Sequence, residues 1–273
     1  MAAQKGFIYE NNAYKILKQY GIAAGPPPAG AAHDRPDLEI KSSSEKENKK
    51  QGCELKITAT AAGSLVMKYT DGLWGFAPIK DSDVEKKMMM EIAKKHKLLE
   101  NMNTSGAAGA RWRGKMPHLQ NNKDGSKVYV GVKKGDKRAA YAKDIKLFGG
   151  QNEVKIPLSG KAISDYYNTK KTYYINVGTH GFYLMNKKDP LNLNRNIAGG
   201  LKIPDFSDVA KAQIRVRCQS KGGGTYQFAM TLTFTSVKKS PYNLAPTRSA
   251  SNVEIDIRHL ESDKNAPLLE AFL

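Results

Sequence analysis

Three residues of this sequence, Asp37, Glu54 and Lys56, have the types and spacing that hydrolysis of a phosphodiester calls for. Apolar and polar residues alternate in Asp37-Leu38-Glu39-Ile40-Lys41, and again from Cys53 to Thr58, with sixteen residues between Asp37 and Glu54. Such alternation predicts two short strands whose successive side chains point to opposite faces. Neighbouring strands would then offer acidic groups on one face of a sheet, with Lys56 on the same face as Glu54. The reaction needs a hydroxide near neutral pH and cover for the charge on the reacting phosphate. One or two Mg²⁺ ions provide both, held by carboxylates while keeping several waters. Asp37 and Glu54 are the candidate metal ligands, and the backbone carbonyl of Leu55 can add a third oxygen. The Lys56 ammonium can orient the attacking water or balance negative charge as it develops. Asp34 and Glu39 flank Asp37, and either becomes the ligand if the register slips. The competing reading is an exposed sheet whose carboxylates pair with Lys41 and Lys56, an arrangement worth little energetically.

These groups need elements to hold them. Residues 5–20 read as an amphipathic helix with Ala13, Ile16, Leu17 and Tyr20 on its apolar stripe and Gly21 as the stop. Glu10 lies in line with Tyr14 and Leu17 and so borders that stripe, an unusual position for a carboxylate. Pro26-Pro27-Pro28 marks a loop, the strand 37–41 follows, and 42–51 reads as a solvated hairpin loop. Leu65–Tyr69 is expected as a third strand. Asp83 is expected to cap a helix to about Asn101 that buries Val84, Met88, Ile92 and Leu99. Residues 103–126 read as a long loop and 127–133 as a strand. Farther on, 172–177, 181–185, 213–218 and 226–235 carry strand patterns, and Gly222-Gly223-Gly224 reads as a turn. The expected division is a mixed α/β core over 1–135 and a β-rich extension over 136–273.

Pro36-Asp37 followed by Glu54-Leu55-Lys56, with Glu10 on a helix upstream, resembles the signature of the PD-(D/E)xK (restriction-endonuclease-like) nuclease superfamily. The resemblance spans roughly residues 6–69. It implies an α/β fold with an αβββαβ core, the β-rich extension serving DNA recognition. It also implies Mg²⁺-dependent cleavage of double-stranded DNA, as by a type II restriction endonuclease. By position, Asp37 and Glu54 bind metal, Lys56 assists the nucleophile and Glu10 supports the metal site. A homodimer, cutting both strands of a palindromic site, is a further implication. The alternatives are a phage or repair nuclease of the same fold (a junction resolvase or an exonuclease), or a basic nucleic-acid-binding protein without catalysis.

Charge agrees with a polyanionic partner. Lys and Arg number 44 against 26 Asp and Glu, a net charge of +18, and the isoelectric point is near 9.7. Such a surplus attracts and captures nucleic acid. The loop Arg111-Trp112-Arg113-Gly114-Lys115 sets cations beside an aromatic ring, and Arg215 and Arg217 share one face of a strand. All five cations are candidate DNA contacts, although Arg215 and Arg217 could instead pair with acids across a sheet. Lys170-Lys171 and Lys187-Lys188 add only to the field.

Other chemistries find little support. The sequence has no Gly-x-Ser-x-Gly elbow and no P-loop. His96, His118, His180 and His259 show no metal-ligand spacing, and His33 beside Asp34 is a general base or a polar loop residue. Cys53 and Cys218 are too few for a disulfide framework, so a reducing, cytoplasmic setting is expected. No apolar run reaches the roughly 18 residues of a membrane span, and Met1-Ala2-Ala3-Gln4-Lys5 lacks the apolar stretch of a signal peptide.

Overall fold

The computed structural model describes residues 2–28, 35–43, 49–59, 61–70, 73–104, 119–121, 127–129, 136, 139, 142, 153–222 and 225–273. Helix α1 (Ala2–Gln19) buries Tyr9, Ala13, Tyr14 and Leu17 along one stripe. It stops at Gly21, whose φ of 72° the missing Cβ permits. There the Ile22 N–H reaches back to Leu17 O and the Gly21 N–H to Lys18 O, a Schellman closure. Strands β1 (Ala23–Ala24), β2 (Leu38–Lys41) and β3 (Lys50–Lys56) follow. The chain continues through β4 (Ala61–Thr70), β5 (Leu73–Phe76), α2 (Val84–Lys95), α3 (Leu98–Asn103), β6 (Leu119–Asn121), β7 (Lys127–Tyr129) and β8 (Glu153–Ser159). Next come α4 (Gly160–Asn168), β9 (Thr172–Val177), β10 (Gly181–Leu184) and the one-turn helices α5 (Leu193–Asn196) and α6 (Phe206–Val209). Long strands β11 (Ala210–Gly222) and β12 (Thr225–Val237) precede α7 (Ile257–Leu260) and α8 (Ala266–Phe272).

The fold is mixed α/β with two sheets, and the chain forms two compact units. The first comprises 1–60, 159–212 and 234–273; the second comprises 61–158 and 213–233. This differs from the expected division near residue 135. The chain leaves the first unit soon after β3, builds most of the second, re-enters at α4, and leaves once more over 213–233.

In the first unit the sheet order is β1-β2-β3-β9-β10. β2 and β3 are antiparallel, with Leu38 opposite Cys53, whereas β3 and β9 are parallel, with Glu54 beside Ile175. A parallel pair requires a crossover connection, and α4 leads the chain into β9. The expected third strand and the helix after it therefore lie elsewhere: β4, α2 and α3 belong to the second unit. Hydrophobic periodicity identifies a strand but not the sheet it joins. The core of the first unit gathers Tyr9, Ala13 and Leu17 of α1 against Leu38, Ile40, Cys53 and Leu55. Tyr174 stacks on Phe182 with ring centroids 5.5 Å apart, and Leu244, Leu268 and Phe272 close the far side. Each of the leucine, isoleucine and phenylalanine side chains contributes roughly 1.5–3 kcal/mol by leaving water.

β3 starts three residues before the expected Cys53, which shortens the polar loop ahead of it. Gly52 in that added stretch is crowded: a Cβ would come within 2.7 Å of the Lys171 carbonyl and 2.9 Å of Pro36 Cγ. Gly52→Ala is expected to cost about 1–3 kcal/mol and to disturb the Pro36-Asp37 turn. Denaturant unfolding measures it, and an unchanged midpoint would show that this contact yields freely.

In the second unit the sheet order is β5-β4-β12-β11-β8, with the β6–β7 hairpin attached to β12 through β7. Trp74 meets Phe228 edge to face at 4.7 Å. The expected single helix over 83–101 is two. Asp83 caps α2 by accepting from the Lys86 N–H at 3.0 Å, and Lys97, at φ 52°, breaks the run before α3. In α2 the buried apolar residues are Met89, Ile92 and Ala93, with Val84 57% exposed, and after the break α3 buries Leu98 and Met102. The expected strand 127–133 is described only over β7.

Candidate active site

Asp37 stands at the entry to β2, Glu54 and Lys56 near the end of β3, and Glu10 on α1. The antiparallel register brings the first three together. Asp37 Oδ2 accepts the Leu55 N–H at 3.0 Å and lies 3.7 Å from Lys56 Nζ, while Lys56 Nζ forms an ion pair with Glu54 Oε1. The side chains of Asp37 and Glu54 are only 15% and 3% exposed, so the reading as a solvated surface pair does not fit. Glu54 is buried because β3 is flanked on both edges and covered on both faces, which the alternation of a half-exposed strand did not anticipate. Its Oε2 is buried without a hydrogen-bond donor.

The electrostatics of the cluster are unbalanced. Burial pushes the Asp37 carboxyl up to about 8, helped by the charges of Glu54 and Glu10 and opposed by Lys56 and the Leu55 N–H. Burial also raises Glu10, with Glu54 adding to the effect against Lys56 and Lys170. For Glu54 burial acts upward, but Lys56 and Lys170 outweigh it and hold the group below the usual carboxylate range. Burial favours loss of the Lys56 proton, yet Glu54, Tyr167 and Asp37 hold it well above the ordinary lysine value.

Two neighbours went unrecognised in the sequence. Tyr167 of α4 is fully buried, its hydroxyl has no hydrogen-bond partner, and burial with the Glu54 charge raises it strongly. Lys56 Nζ and Lys170 Nζ each lie 5.9 Å from its ring centroid. In the sequence Lys170 stands out only as part of the general positive field. No local motif marks either residue; a crossover helix returning to β3 is what brings them in.

Glu39 turns toward Gly25, while Asp34 and His33 lie outside the described residues. So do Arg111, Arg113, Lys115, His118 and the Cys218 side chain. In the second unit Arg215 forms an ion pair with Glu153 of the neighbouring strand β8, and Arg217 lies 4.0 Å from the same carboxylate. Cross-sheet pairing is thus the arrangement found for Arg215. Burial acts upward on Glu153, but Arg215 and Lys155 hold it low. No helix among the described residues is long and apolar enough to cross a membrane. Comparison with protein-family models, curated proteins and solved structures returns no match for this chain.

Proposed function

We propose that the protein is a Mg²⁺-dependent nuclease of the PD-(D/E)xK type that cleaves double-stranded DNA. The observation that carries this reading is the meeting of Asp37, Glu54 and Lys56 on neighbouring strands, with Glu54 Oε2 buried and unpartnered and with burial pushing the Asp37 carboxyl up to about 8, which favours a proton there. A divalent cation replacing that proton would supply the missing positive charge. The donor set suits Mg²⁺, which takes hard oxygens, uses one or two carboxylates, and leaves the remaining positions to water and phosphate. Asp37 and Glu54, with its unpartnered Oε2, would hold the ion, and the Leu55 carbonyl is the further candidate. Among the described residues no three His, Cys, Asp or Glu side chains gather to hold a metal by themselves; two carboxylates completed by water do not need a third. An ion there supplies charge to the reacting phosphate and acidity to a bound water.

Lys56 keeps its proton, so its part is electrostatic: it orients water and balances developing charge, and does not act as a base. The Tyr167 hydroxyl, also protonated, is free to donate to water or to a phosphate oxygen. The order α1, β1, β2, β3, α4, β9, with β9 parallel to β3, is compatible with an αβββαβ core, one built with β1 and α4 in place of the expected strand 65–69 and helix 83–101, and with 61–158 inserted between β3 and α4. Net charge supports a DNA substrate. Arg217, 43% exposed, is more available to phosphate than the paired Arg215.

Incubating supercoiled plasmid with the protein in Mg²⁺ or in EDTA tests the reading. Discrete, Mg²⁺-dependent products are expected of a restriction enzyme, and a smear points to a repair or exonucleolytic enzyme of the same type. Retardation without cutting would overturn catalysis and leave a basic binding protein.

A further inference from the structure

The parallel strands β3 and β9 end side by side. Lys56 O accepts the Gly178 N–H at 2.7 Å, and Ile57 O accepts the Thr179 N–H at 3.2 Å. Beyond these bonds, between the β9–β10 turn and the segment after β12, opens a cavity of about 260 Å³. That is the small end of ligand sites, suited to a compact polar group. Its floor is firmly set. The Asn243 side-chain amide donates to Gly178 O at 2.9 Å, and the Thr247 N–H donates to the same oxygen at 2.8 Å. A Cβ on Gly178 would meet Thr247 Oγ1 at 2.8 Å and Tyr9 Oη at 2.9 Å, so glycine is required there.

The walls are cationic and hydroxylated. Lys239 and Arg248 line the cavity with His180, His259, Thr179 and Ser240. Among the described residues no acidic side chain forms an ion pair with Lys239 or Arg248. Asp256 also lines the cavity, but the Arg258 guanidinium engages it at 3.4 Å. His180 shares a hydrogen bond with Thr179 Oγ1 at 2.8 Å. Burial and the Lys239 charge hold this imidazole below its usual value and favour its neutral form. Two cations without an ion-pair partner among the described residues, set beside hydroxyls, suit a tetrahedral oxyanion.

We propose that this cavity is a phosphate subsite, holding a second phosphate of the strand whose reacting phosphate lies at Asp37, Glu54 and Lys56. The position of the strand rests on the nuclease reading; the binding chemistry does not. Adjacent strands lie about 4.8 Å apart, so the cavity at Gly178 begins one strand spacing from the backbone of Lys56. The phosphate is an internal phosphodiester or a terminal phosphomonoester, and the two differ in a binding experiment.

Anisotropy of a short fluorescein-labelled duplex is measured in EDTA on the full chain, with 5′-hydroxyl or 5′-phosphate ends. Lys239→Ala/Arg248→Ala is compared with Lys187→Ala/Lys188→Ala, which removes equal charge elsewhere on the first unit. Lys239 and Arg248 are exposed, so the fold should survive, and matching thermal midpoints check this. The subsite variant should bind at least about tenfold more weakly than wild type, with the slope of log K against log salt reduced by about 2. The reference variant should lose far less. Equal loss on both duplexes supports an internal phosphodiester; loss confined to the phosphorylated duplex supports a strand end. If the two double variants bind alike on both duplexes, the subsite is overturned. The metal-free readout keeps the two ideas separable: binding that depends on Lys239 and Arg248 without any cleavage sinks only the nuclease reading.

Discussion

Asp37→Asn lowers Mg²⁺-dependent plasmid cleavage by on the order of 10³-fold and leaves duplex retardation in EDTA unchanged. Asparagine keeps an oxygen for the Leu55 N–H, which donates to Asp37 Oδ2 at 3.0 Å, but it brings no charge to a metal ion. The same variant separates a functional carboxylate from a structural one. Asp37 titrates near 3.8 ordinarily and at about 8 in the fold. An acid whose folded value is raised contributes stability fully below its unfolded value and loses it as pH rises through the folded one. Metal-free wild type should therefore lose stability between about pH 4 and pH 8 through this group, and Asp37→Asn should lack that slope. In EDTA at pH 8 the variant should melt at least as high as wild type, by up to several degrees at roughly 2–4 °C per kcal/mol. Full cleavage by the variant removes Asp37 from the chemistry. Matching pH–stability profiles for the two proteins would remove its buried proton.

Lys56→Ala is expected to cut activity by about 10²–10³-fold and also to unsettle the protein. The Glu54 side chain is 3% exposed and its ion-pair partner is Lys56. Stripping one member from a buried pair leaves an uncompensated charge and costs about 3–5 kcal/mol. Glu54 is held low in the fold, chiefly by Lys56 against its own burial, so the stability it confers is present above its unfolded value and lost as pH falls. The gap between wild type and Lys56→Ala should thus be widest at pH 8 and close as the medium turns acid enough to protonate Glu54. Lys56→Arg keeps a cation and should recover much of the stability without the full activity. Equal unfolding midpoints at pH 8 for wild type and Lys56→Ala would mean that Glu54 is balanced by something else.

Much of this cluster was legible because local rules govern it. The alternation of Leu38 and Ile40 with Asp37, Glu39 and Lys41 predicted a strand, and Leu38 and Ile40 are buried. The spacing from Asp37 to Glu54 permitted the antiparallel register that the structure has. What the sequence concealed is set by distant partners. β4 follows β3 in the chain yet joins the other sheet, while the true neighbour of β3 is β9. Tyr167 and Lys170 reach the cluster only through that pairing. Arg215 was recognisable as one of a pair on a single strand face, but Glu153, sixty-two positions upstream, had no local mark as its partner. The helix break at Lys97 was missed because lysine seldom adopts a positive φ and nothing nearby signals one.

The insertion between β3 and β9 bears on how the protein is made. β3 ends at Lys56 and its parallel neighbour begins only at Thr172, so a nascent chain leaving the ribosome carries β3 with one bare edge while residues 61–158, the larger part of the second unit, emerge. Bare strand edges invite pairing with other chains, and pairings this remote in sequence form slowly. Glu54 and Lys56, at the close of that strand, spend the interval hydrated, and charged side chains on an open edge discourage premature association until Thr172–Val177 arrives.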